Sequence, residues 1–354
     1  MENPFKFLDS YDKEDKDRFF GRKKETTQLL NAVHASNLVL LYGASGTGKT
    51  SLINCGLGNQ FKKSDWLPIF IRRGSDLNRS VHRELDKQLP ENARGDLAIR
   101  HKVKELYLNT YRPIYLIFDQ FEELYIMGDK AEQDLFHRSI AELLQSGLKC
   151  KVLISIREEY IAYLSEFEKV IPSLFDNRLR IEKMNDRNLS RVVVGTCRYG
   201  GINLVEPRKI VPQILDNLRS KREGIDLTNL QVYLDRLFRT DIERQGQSNP
   251  DQITFDEPLI ASVGKMENVL SEFLDEQMTI VEDGLKSRGV EKPEGMPLEV
   301  LFTLVTEDGT KRNMDLATIQ KDLPRHRQLT QENLDFVMSE FHRIKLLRTF
   351  AVEE

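Results

Sequence analysis

The chain changes texture at about residue 185. Ahead of that point, short apolar runs lie at 37–42 (NLVLLY), 67–72 (LPIFIR), 114–118 (IYLIF) and 151–156 (KVLISI). They alternate with stretches in which apolar residues recur at helical spacing, at 24–36, 81–89, 96–108 and 132–144. Runs of this kind fill strands buried on both faces, and such strands, separated by amphipathic helices, run parallel under two helical layers. A fifth strand is expected at 180–184. Beyond 185 the period is helical almost throughout, at 189–197, 208–220, 227–240 and 268–285. Turn-rich breaks fall at 199–201 (YGG), 245–252 (QGQSNPDQ) and 288–297 (RGVEKPEGMP), the last with the composition of a hinge. Helices at 297–306, 315–321 and 331–344, a turn at Asp308-Gly309 and a short apolar strand at 346–352 follow. That order is compatible with a winged helix-turn-helix.

Chemistry enters at the end of the first apolar run. Gly43-Ala44-Ser45-Gly46-Thr47-Gly48-Lys49-Thr50 fits GxxxxGK[ST], follows a strand-like run, and leads through Ser51 into a helix-compatible segment, 51–57. In that context glycines let the backbone curl so that successive N–H groups face a phosphate, and the helix start adds partial positive charge. Lys49 supplies a point charge for the outer phosphates, and the Thr50 hydroxyl is a Mg²⁺ ligand. The alternative is a Gly-rich turn with an incidental lysine. A second acid for the metal is Asp119, which ends IYLIFD at the carboxyl edge of the expected sheet. Of Glu122 and Glu123 just beyond, one orients the attacking water, or both are an ordinary acidic first helical turn. Arg157, directly after KVLISI, senses a γ-phosphate or pairs at the surface with Glu158 or Glu159. Arg178 precedes the expected fifth strand, with Arg180 alternating beside it.

Composition narrows the setting. A chain of 354 residues has room for two or three domains, and 40% hydrophobic with 31% charged residues supports a packed core under a wet surface. The net charge of -4 provides no global basic field for nucleic acid or an anionic membrane. No apolar run approaches the ~20 residues of a membrane helix, and MENPFKFLDS has no signal-peptide core. Cys55, Cys150 and Cys197 are far apart, without CxxC, and the six histidines lack metal-ligand spacing. A soluble, cytoplasmic protein is expected.

Four motifs in order carry a resemblance. Asn3-Pro4-Phe5 with Arg18-Phe19-Phe20-Gly21-Arg22, then GASGTGKT, IFDQFEELY and ISIREEY resemble the STAND class of signal-transduction NTPases, and within it the bacterial novel STAND group of the AAA+ superfamily. The resemblance spans residues ~3 to ~350 and implies a P-loop α/β core over 1–185, a helical lid over 186–265 and a winged-helix-like domain over 266–354. It implies ATP or ADP with Mg²⁺ as ligands, Phe20, Gly21 and Arg22 along the adenine, Lys49 and Thr50 in Walker A, Asp119 in Walker B, and Arg157 as the sensor. In AAA+ relatives the place of Arg178 faces a neighbouring subunit's γ-phosphate.

Two departures stand out. Thr228 occupies the position where relatives carry a lid proline beside a Leu-Gln pair, here Leu230-Gln231. The chain also ends at Glu354, ahead of the family's His-Asp motif and sensor repeats, so it is expected to be cut short there or to be a minimal switch. The resemblance implies slow ATP hydrolysis, self-association into a ring or helical homo-oligomer, and an effector or sensor module outside this segment. Bacterial relatives often serve in anti-phage defence. The alternative is a DNA-associated AAA+ ATPase whose winged helix reads DNA, against which 9 Lys+Arg and 12 Asp+Glu over 291–354 count. No membrane partner is expected.

Overall fold

The structure, a computed structural model, describes residues 3–7, 9–95, 97–219, 224–246, 252–305, 312, 314–324, 328–344 and 347. Two compact units divide the chain between Val263 and Gly264.

The first unit is built on five parallel strands, β1 (Leu38–Gly43), β2 (Leu67–Ile71), β3 (Ile114–Phe118), β4 (Cys150–Arg157) and β5 (Arg178–Arg180), in the order β2-β3-β4-β1-β5. Alternation within β1 sends Leu38 and Leu40 to one face and Val39 and Leu41 to the other, and both faces are covered. Against the first lie α3 (Leu77–Asp86), α4 (Ile99–Thr110), α6 (Lys130–Gln145) and α7 (Ser165–Val170). Against the second lie α1 (Lys23–Ala35) and the helix after the phosphate loop, which starts as α2 (Lys49–Ser51) and widens into a π-helical Leu52–Leu57. A short α5 (Glu123–Met127) follows β3.

A helical segment completes this unit: α8 (Asp186–Tyr199), α9 (Pro207–Leu218), α10 (Leu227–Gln245) and α11 (Glu257–Val263). A two-stranded parallel pair, β6 (Asn203–Leu204) with β7 (Thr254–Phe255), joins it. Residues 3–7 and 9–22 run along both parts as an arm. Asn3 donates to Asp235 at 2.6 Å, the Phe5 ring packs between Phe238 and Phe255, and the Tyr11 N–H donates to Ser51 Oγ at 3.0 Å.

The second unit packs α12 (Met266–Ser287), α13 (Met296–Thr303), α14 (Leu316–Asp322) and α15 (Gln331–Arg343) around Val281, Leu285, Val300, Ile319, Leu334, Val337 and Phe341.

Several elements depart from their expected positions. The fifth strand is Arg178–Arg180, not 180–184: its neighbour β1 ends at Gly43, and after Ile181 donates to the Tyr42 carbonyl the apolar residues Ile181 and Met184 serve loop packing. Helix α3 begins at Leu77 rather than 81, because the Asp76 carboxylate caps it by accepting from the Arg79 N–H at 2.7 Å. The break at 288–297, with a hinge's composition, lies inside the second unit, where the Gly295 N–H donates to Glu282 at 2.7 Å. The Asp308-Gly309 turn and, apart from Leu347, the expected strand at 346–352 lie outside the described residues.

Candidate functional site

The sheet order lines up the ends of β2, β3, β4 and β1, so every acid and cation that follows those strands emerges on one edge. At the end of β1 the loop 43–50 turns into α2 through Gly48, whose φ of +84° is left-handed backbone that favours glycine. The buried Thr47 closes the loop from inside, its hydroxyl donating to the Ala44 carbonyl at 2.9 Å. The buried Arg22 guanidinium braces it from outside, donating to the carbonyls of Thr47 at 2.8 Å and Glu182 at 2.9 Å. The Lys49 ammonium donates to the carbonyls of Gly43 at 2.7 Å and Ala44 at 2.9 Å. Burial pulls its pKa below the usual lysine range, against the opposing fields of Glu122 and Asp119. Ser45 is exposed at the loop tip, whereas Ser51 accepts from the arm through Tyr11.

Asp119 sits one residue past β3, 7% exposed, where the Thr50 hydroxyl donates to its carboxylate at 3.0 and 3.1 Å. A hydroxyl and a carboxylate side by side fit a hard cation such as Mg²⁺, which takes one or two protein oxygens and fills the rest of its shell with water and phosphate. Gln120 then adopts left-handed backbone (φ +59°), and the Phe121 N–H donates back to Ser155 at 2.9 Å. This turn delivers Glu122, not its neighbour, to the end of β4: the buried Glu122 carboxylate accepts from Arg157 Nε at 3.0 Å and from the Arg157 N–H at 3.2 Å. Glu123 is the first residue of α5. Arg157 thus pairs with Glu122 rather than Glu158 or Glu159, and Glu158 is taken by Arg180 at 3.0 Å.

The side chains of Arg178, expected at a neighbouring subunit's γ-phosphate, and of Phe20, expected along the adenine chiefly through main-chain atoms, lie away from the chain's own loop. Arg178 is exposed on the edge strand, level with Leu40, three positions short of Gly43 or ~10 Å along the strand. Phe20 turns to α8, where its ring lies against Gly195, and Gly21 (φ +82°) lies against Asn188 and Val192 of the same helix.

Three features escaped the sequence reading. Arg72, one residue past β2, donates to Asp119 Oδ2 through Nε at 3.1 Å and Nη2 at 2.5 Å. The first turn of α10 is seated on the loop: the Leu227 N–H donates to the Gly46 carbonyl at 3.2 Å, and a Cβ added to Gly46 would fall 1.8 Å from the Asp226 carboxylate. Contact between helical segment and loop therefore runs through Asp226 and Leu227, and Thr228 serves the helix cap by donating to Asp226 at 2.8 Å. Gln231 binds the arm, its side-chain carbonyl accepting from the Lys6 N–H at 3.2 Å and the Tyr11 hydroxyl at 3.1 Å. One signal was present: IFIR at 69–72 has the same form as ISIR at 154–157, an apolar strand running into arginine.

Known structures share this architecture. The chain is similar to the Walker-type ATPase PABY2304 of Pyrococcus abyssi, at 13% identity over 96% of this chain and 93% of that one, with a TM-score of 0.50. It is similar to the Aeropyrum pernix ORC2 protein in its ADPNP–ADP complexes, at 12% identity over 92% and 95%, with a TM-score of 0.54. It is also similar to the Aeropyrum pernix ORC1 protein in complex with DNA, at 16% identity over 93% and 85%, with a TM-score of 0.50. Identities this low carry the fold alone. No curated protein sequence matches the chain. The family model described as Novel STAND NTPase 1 matches residues 4–349, nearly the whole length, and the chain belongs to that family of P-loop NTPases.

Proposed function

We propose that the protein is an ATP-binding, slowly hydrolysing switch whose nucleotide state sets how the helical segment closes on the core and whether copies assemble into a ring or helical oligomer. The observation that carries this reading is the seating of α10 on the phosphate loop, through Leu227 on Gly46 and Asp226 against it. A rearrangement of the loop around phosphates is thereby transmitted to a 19-residue helix that also anchors the N-terminal arm through Gln231. In this reading α8–α11 form the lid, and the second unit is a winged-helix relay module.

The roles follow from chemistry. The loop N–H groups and Lys49 hold the phosphates, Phe20–Arg22 border the adenine, and Thr50 with Asp119 would hold Mg²⁺, which supplies charge neutralisation at the phosphates. Glu122 orients and deprotonates the attacking water, and Arg157 reports the γ-phosphate. Arg178, remote from its own loop, acts on a neighbouring copy. Mixing Arg178→Ala with Lys49→Ala protein then restores partial turnover, and no recovery in an assembly containing both chains removes Arg178 from the site.

The direct test is a fluorescent-nucleotide titration. Lys49→Ala is expected to weaken ATP binding at least tenfold, about 1.4 kcal/mol, and unchanged affinity sinks the site assignment. A second reading, a DNA-associated ATPase, draws on the fold likeness to an ORC protein solved with DNA. The acid excess over 291–354 favours the switch, so duplex binding is expected to be weak and lost at modest salt. Tight, salt-tolerant binding to one sequence reverses this preference.

A further inference from the structure

Asp119 is a nearly buried carboxylate, and a buried carboxylate needs an opposite charge beside it. The chain supplies one of its own. Arg72 places two N–H donors on Oδ2, at 3.1 and 2.5 Å, and the Thr50 hydroxyl lies 3.0 Å from that same oxygen. Oδ2 is therefore already engaged by Arg72, while among the described residues Oδ1 meets only the Thr50 hydroxyl at 3.1 Å, so a cation drawing on both carboxylate oxygens or on the full carboxylate charge competes with the guanidinium.

This placement comes from backbone geometry. β2 pairs with β3, Ile71 level with Phe118, and the Asp119 N–H donates to the Ile71 carbonyl at 3.1 Å, so the two residues that follow stand side by side. The next residue, Arg73, is locked in a buried ion pair with Glu132 (2.9 and 2.8 Å), which also accepts from the Leu77 N–H at 2.6 Å. Both ends of the 72–77 turn are thus fixed, while the Arg72 side chain keeps 34% exposure and has room to swing away.

We infer that Arg72 is an internal rival of the metal: a positioning residue that holds Asp119 in the metal-free protein and sets the Mg²⁺ concentration at which the site loads. Guanidinium does not lose its proton, so Arg72 yields the carboxylate only by moving, and a divalent cation arriving beside it meets like charge. The inference rests on the nucleotide reading above and adds a metal threshold to it.

The test titrates Mg²⁺ against a fixed concentration of fluorescent ATP analogue. Arg72→Gln is expected to lower the Mg²⁺ midpoint by about fivefold, with Arg72→Lys between it and the wild type, while nucleotide affinity in EDTA stays within about twofold. In an Asp119→Asn background the Arg72→Gln shift should vanish, because the shared oxygen is no longer charged. An unchanged or raised midpoint in folded Arg72→Gln and Arg72→Lys proteins overturns the inference. A wild-type protein that binds no nucleotide at all strikes the nucleotide reading instead. Manganese(II) EPR on the nucleotide-free protein then decides the metal question by itself: tighter Mn²⁺ binding in Arg72→Gln upholds it, and equal or weaker binding removes it.

Discussion

At the carboxyl edge of the sheet, β2 and β4 each run from apolar residues into an arginine, and each arginine meets an acid carried by the turn after β3. Arg72 lies on Asp119 at 2.5 Å and Arg157 on Glu122 at 3.0 Å, with both acids buried and both arginine side chains about one-third exposed. The surroundings differ. Asp119 shares its oxygens with the Thr50 hydroxyl, and in the reading proposed above a cation held by that pair would replace its arginine contact. Glu122 is gripped by both the side chain and the N–H of Arg157, which fixes its orientation without offering a second oxygen donor. On the proposed reading, two similar ion pairs thus separate into an exchangeable acid and a held acid.

The sharpest way to break this comparison is chemical. Glu122→Gln is expected to slow ATP hydrolysis by about 10²–10³ while leaving nucleotide binding nearly unchanged, since a water-orienting acid matters only during turnover. Asp119→Asn should instead reduce the Mg²⁺ dependence of binding, raising the midpoint without removing it. Single-turnover hydrolysis alongside a Mg²⁺ titration reads both, and wild-type turnover in Glu122→Gln shifts the role to Glu123.

The held acid also depends on packing behind it. Glu122 leads into α5, whose Tyr125 hydroxyl lies 3.2 Å from His137 Nε2, and the His137 ring stacks on Phe167 at 4.3 Å. Burial pulls the His137 pKa from 6.5 to about 4. Between those values the unfolded chain binds a proton that the folded chain refuses, so stability is full above the unfolded value and falls on acidification. Going from pH 7 to pH 5 should cost the first unit about 2 kcal/mol through this group. Thermal unfolding at the two pH values checks it: His137→Gln should flatten the dependence, and an identical slope in the variant assigns the acid lability elsewhere.

The smallest expected effect separates the two arginines. Arg157→Ala should reduce the preference for ATP over ADP by about three- to fivefold, the loss of one partly exposed charged contact. Competition between the two nucleotides measures it. If Arg72→Ala erases the preference and Arg157→Ala does not, the assignments of the two pairs are exchanged.

Much of this was legible in one dimension. Apolar runs at 37–42, 114–118 and 151–156 are read by local alternation and length, and the phosphate loop, Asp119 and Arg157 are located by what directly precedes them in the chain. Each of those inferences depends on neighbours in sequence. The strand near 180 was misplaced because its apolar residues Ile181 and Met184 pack as loop, and only the pairing of Arg178–Arg180 with β1 marks the strand.

Which charges meet was decided by the fold. Setting Arg72 on Asp119 required β2 beside β3, and setting Glu122 on Arg157 required β4 next in order together with the left-handed turn at Gln120. Seating Asp226 and Leu227 on Gly46 required α10 to return across some 180 residues to the phosphate loop. Composition and periodicity determine which residues are buried and which elements form, because those preferences act over a few neighbouring positions. The partners of a buried charge follow instead from strand order and helix docking, where residues distant in sequence come within hydrogen-bonding reach.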